Sequence, residues 1–165
     1  MSTTGLDAFD STLQKTHLWL HELMKELGWE GQRQQAYHAL RAVLHALRDR
    51  LPPQEAVQLG AQLPLLLRGA YYEGWKLSGK PVKDRHTEDF LAHITLAFRR
   101  AETIPAEQVA VMAQQQGYVV MEDERINPEE VARAVFAVLA RHVTAGEITD
   151  VKGRLPAALR DLWPA

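Results

Sequence analysis

The feature that most constrains this chain is a stretch of sequence that occurs twice. Residues 51–71 read LPPQEAVQLGAQLPLLLRGAY, and residues 143–163 read VTAGEITDVKGRLPAALRDLW. Laid over each other without a gap, at a shift of 92 positions, they share Glu55/Glu147, Leu63-Pro64/Leu155-Pro156, Leu67/Leu159 and Arg68/Arg160. Each copy ends on an aromatic residue, Tyr71 or Trp163. Most of the shared residues are of kinds that punctuate, cap or pack helices. The repetition therefore reads as duplicated architecture rather than duplicated catalysis, and it predicts an all-α protein. Two related multi-helix units, residues 1–80 and 84–165, would pack as a compact bundle around a shared core. A chain of 165 residues suits one such core, and two units of half that length would each be marginal alone.

Helical periodicity supplies the elements. Leu6, Phe9, Leu13, Leu20, Met24 and Leu27 predict a first helix over Leu6–Leu27, ended by Gly28. A second helix runs over Gln32–Arg50. Leu51-Pro52-Pro53 then stops it and starts a third, Pro53–Gln62, because proline has no N–H to donate and fits only the first turn. Pro64 reads as a restart for a short helix, Pro64–Tyr72, rather than as a kink, since Leu-Pro stands at the same place in both copies. Glu73–His86, with two glycines, a proline and four Lys/Arg, reads as a linker. The second half predicts helices over Thr87–Ala101, Ile104–Gln116 and Asn127–His142. Between the last two lie a brief β-prone run, Gly117–Met121, and an acidic turn, Glu122–Glu124. Thr144-Ala145-Gly146-Glu147 has the spacing of a capping box, and Pro156 restarts a last helix that ends at Trp163.

The phrases AVQLGAQLPLLLRGAYYEGW, ARAVFAVLARHVTAGEITDVKGRLPAALRDLW and AYHALRAVLHALRDRLP resemble a family of uncharacterised bacterial proteins, DUF2267. The resemblance covers Phe9–Trp163, and its motifs are specific in combination, above all Ala61-Gln62-Leu63-Pro64 with Arg68-Gly69 and Tyr71-Tyr72-Glu73-Gly74-Trp75. It implies an all-helical protein of repeated units, and it carries over no catalytic residue. The Ile104–Glu124 stretch departs from that pattern by lengthening the second unit.

Composition removes several chemistries. With no cysteine there is no disulfide, thiolate nucleophile or thiolate zinc site, which fits a reducing, cytoplasmic setting. The N-terminus lacks the basic start and apolar run of a signal peptide, and no apolar stretch approaches the ~20 residues of a membrane span. Net charge is −2, with a mild tilt between the halves, unlike the basic stripe of a nucleic-acid binder. Neither Gly-x-Ser-x-Gly nor a complete phosphate-binding glycine loop is present.

Three sets of residues remain as candidates. His17 and His21 share a helix face and are the candidate metal ligands, although Leu18 replaces the glutamate of HExxH. Surface histidines are the commoner outcome of such a pair. Arg68 and Arg160 each follow their proline by four residues, as helix-end arginines that favour the dipole or as an anion site. Tyr71, Tyr72, Trp75 and Lys76, with Lys80, Lys83 and Arg85 beyond, form an aromatic and basic segment of the kind that anchors a protein partner, packs on a neighbouring unit or stacks bases. The expectation is a helical structural or protein-interaction module, self-associating or binding another protein, with no cofactor. A small metal protein or enzyme using the first helix is the alternative, and weak nucleic-acid binding through residues 71–85 is the second.

Overall fold

A computed structural model of the protein describes residues 2–101 and 126–165. Every regular element among them is an α-helix: α1 (Asp7–Leu27), α2 (Arg33–Arg50), α3 (Pro53–Ala61), α4 (Leu65–Tyr72), α5 (Thr87–Ala101), α6 (Pro128–His142), α7 (Ala145–Arg154) and α8 (Ala157–Arg160). The helix expected over Ile104–Gln116, the β-prone run and the acidic turn after it lie outside the described residues.

Local chemistry sets the boundaries. Gly28 ends α1 in the left-handed conformation (φ 67°), which places the Trp29 N–H on the Met24 carbonyl. Pro52 and Pro64 sit just before α3 and α4 with nearly identical dihedral angles, φ/ψ −55°/146° and −54°/147°. Thr144 and Pro156 precede α7 and α8 at −59°/148° and −57°/148°. Each junction is thus an extended break and not a kink. The last helix is shorter than expected. Only Ala157–Arg160 is helical, and the chain then turns so that Leu162 and Trp163 become buried.

Among the described residues, buried apolar side chains form one cluster reaching from Trp19 to Trp163. The long α2 lies at its centre, packed on α1, α4, α5 and α6, while α1 also contacts α4 and α6. Phe90 of α5 and Phe136 of α6 stack at 6.0 Å, and Phe136 lies flat on Trp163 at 4.1 Å. Helix α3 meets α7 directly.

The 73–86 segment does not behave as a loose linker, because the buried charges at the end of α2 hold it. Arg48 donates to the Tyr71 and Glu73 carbonyls at 2.7 and 3.1 Å. Arg50 forks onto Asp84 (2.9 and 2.7 Å), and the Val82 N–H reaches the Asp49 carbonyl. Arg41 pairs with Glu73. Buried arginine is tolerated when its several N–H groups are matched, as here.

Candidate functional site

The side chains that meet most unusually are carboxyls. Glu55 is the third residue of α3 and Glu147 the third of α7, so both stand in a first helical turn, where the helix dipole favours negative charge. Both are nevertheless buried, at 6% and 8% exposure. Asp150, one turn beyond Glu147 and exposed, completes the group. One carboxylate oxygen from each of the three lies within 4.8 Å of the others.

Glu147 reaches this position because its expected capping role is only half made. The Glu147 N–H is received by the Thr144 hydroxyl at 3.3 Å, as in a capping box. The Thr144 N–H, which the glutamate side chain would normally accept, goes instead to Gln62 Oε1 at 2.8 Å, and Gln62 Nε2 donates back to the Thr144 hydroxyl at 3.1 Å. Gln62 follows α3, so α3 takes over one capping bond of α7. The Glu147 carboxyl is left facing that of Glu55, an oxygen of each lying within 4.8 Å of the other. Burial pushes the Glu147 carboxyl up to about 7, and the neighbouring Glu55 carboxyl and the charge of Asp150 act in the same direction. Oε1 of Glu55 and Oε1 of Glu147 are buried without a donor. Chemically, the arrangement can share a proton or hold a cation.

His17 and His21 lie exposed on α1, and among the described residues no third ligand-type side chain joins them. Tyr71 is fully buried, its hydroxyl donating to the Ala56 carbonyl at 2.7 Å. Burial raises the phenol far above its usual range, so it stays a neutral donor. Tyr72 and Trp75 are partly buried and stack at 5.7 Å; Arg48 lies over the Trp75 ring, and Lys76 is exposed. Arg68 donates to the carbonyls of Gly60, Ala61 and Leu63 (2.9, 3.1 and 3.0 Å), and Arg160 to that of Leu155 at 3.0 Å. Each arginine therefore binds carbonyl oxygen at the end of the preceding helix.

Glu55, Glu147 and Asp150 were not among the sequence candidates. The available signal was the alignment itself, which pairs Glu55 with Glu147. Ion pairs also tie α1 to α6. Glu22 pairs with His142, which stacks on Trp19 at 4.8 Å, and Glu26 pairs with Arg141.

No described helix is long and apolar enough to cross a membrane. No curated protein matches the chain. The model of DUF2267, described as an uncharacterized conserved protein, matches residues 16–162, and the chain belongs to that family.

Proposed function

We propose that the protein is a cytoplasmic helical interaction module, built of two related units, residues 1–80 and 84–165, packed as one compact domain. The single apolar cluster supports a shared core, and the matched dihedral angles before α3 and α7, and before α4 and α8, support the kinship of the units.

The observation that carries an interaction role is the stacked Tyr72–Trp75 pair at the outer end of α4. The Tyr72 hydroxyl donates to the carbonyl of Val57, itself 51% exposed, and Lys76 follows at the rim. Rigid aromatics beside an exposed aliphatic residue and a cation form the usual anchor of a protein interface. The occupant proposed is a second copy of the chain, which a net charge of only −2 does not repel.

Sedimentation velocity over a wide concentration range tests this reading. Reversible association that Val57→Glu abolishes, with helical content unchanged, supports it. A chain that stays monomeric throughout, or that associates equally well as Val57→Glu, contradicts it.

A further inference from the structure

We propose that Glu55, Glu147 and Asp150 form a binding site for a hard divalent cation of the calcium or manganese type, joining the start of α3 to the start of α7. This goes beyond the interaction reading and stands independently of it.

The donor set is oxygen only, the preference of hard cations. Its span fits. Two oxygens bound to one calcium ion lie at most about 4.6–5.2 Å apart at the usual metal–oxygen distance, and the three oxygens fall within 4.8 Å of one another.

A cluster of carboxylates at a protein surface is commonplace. Two observations set this one apart. First, Oε1 of Glu55 and Oε1 of Glu147 are buried, on residues more than nine-tenths buried, and neither receives a donor. A buried carboxylate oxygen left without a partner is costly, and a cation is one of the few things that satisfies two at once. Second, Glu147 is released from its local role, because Gln62 takes the Thr144 N–H that the glutamate would otherwise cap.

The charge balance points the same way. The charged groups bearing on Glu147 are the acids Glu55 and Asp150. Among the described residues, no ion pair joins a Lys or Arg to any of the three acids. From α4, Tyr71 packs nearby with its hydroxyl committed to the Ala56 carbonyl, so it completes the wall without serving as a ligand. Asp150 is exposed and gives the ion its route from solvent, with water filling the remaining coordination positions.

The occupant that competes with a cation is a proton shared by Glu55 and Glu147, and titration calorimetry distinguishes the two. The full chain, without a histidine tag and freed of metal, is titrated near pH 7.5 with calcium chloride or manganese chloride alone. One ion per chain is expected. Asp150→Asn, a change at an exposed position that leaves the fold intact, should weaken binding at least about tenfold. Glu147→Gln should remove it. Manganese should broaden the amide resonances of Glu55, Ala56 and Glu147 before any others. Saturable heat absent up to about 10 mM of either ion leaves the shared proton as the occupant and overturns the proposal. Binding that survives both substitutions, or broadening centred elsewhere, overturns it equally.

Discussion

Glu55 and Glu147, 92 positions apart in the chain and aligned with each other in its two similar stretches, bring their carboxyl oxygens within 4.8 Å of each other where α3 meets α7. Under the proposed two-unit reading such a meeting is expected, because equivalent positions of two related units that pack on each other approach one another. An acid chosen for a helix first turn is then brought against its own counterpart. Unless a proton or cation intervenes, like charges confront each other away from water.

The buried end of α2 predicts a strong effect from a residue outside any helix. Asp84 is the carboxylate on which Arg50 forks, and the Arg50 side chain is 2% exposed. Asp84→Ala leaves that guanidinium buried without its counter-charge. It should destabilise the fold by about 3 kcal/mol, read as a lower urea midpoint. A loss below about 0.5 kcal/mol, the scale of an exposed ion pair, would show that the 73–86 segment is not held as described.

His45 predicts acid sensitivity. Its Nε2 lies 2.7 Å from the Ala70 carbonyl, and burial holds the imidazole down to about 4 despite that bond. The unfolded chain takes up this proton near pH 6.5, so it binds more protons than the folded chain between there and pH 4. Stability is fully present above pH 6.5 and falls as pH drops through about 4, by roughly 3 kcal/mol at the limit. His93, held down by burial and by Arg50, adds to the loss in the same direction. Urea midpoints of wild type and His45→Gln, compared across pH 4–7, check this. The variant should show the flatter profile, and parallel profiles would contradict the assignment.

Tyr71 tests whether the aromatic that ends the first similar stretch is an internal fastener. Removing its hydroxyl leaves the buried Ala56 carbonyl without this donor. Tyr71→Phe should cost about 1–2 kcal/mol by equilibrium denaturation. An unchanged stability would mean that the bond contributes nothing net.

Much of the helical order was legible because local chemistry wrote it. Gly28, the two Leu-Pro steps and Asn127-Pro128 end or start helices by rules that involve only a few neighbours. The family was legible too, from Ala61-Gln62-Leu63-Pro64 and the aromatic run after it. Tertiary partners were not. Glu147 looked like half of a capping box, and only the approach of Gln62 from α3 diverts it. The 73–86 segment has a linker's composition, yet its Glu73 carbonyl and Asp84 are met by arginines from α2. The pairs of Glu22 with His142 and of Glu26 with Arg141 join residues more than a hundred positions apart in sequence.

Thermal melting at pH 8 of wild type and Glu147→Gln, each in chelator and in excess calcium, tests the role of the Glu55–Glu147 contact most directly. A carboxyl raised to about 7 contributes its stability below the ordinary range near 4.5 and loses it as pH rises through 7, so at pH 8 the wild type bears the full repulsion. In chelator, Glu147→Gln should therefore melt higher than wild type, by about 3–6 °C for roughly 1–2 kcal/mol. Calcium should raise the wild-type Tm and leave that of Glu147→Gln in place. Equal melting of the two chains in chelator, with no response of the wild type to calcium, would contradict the account.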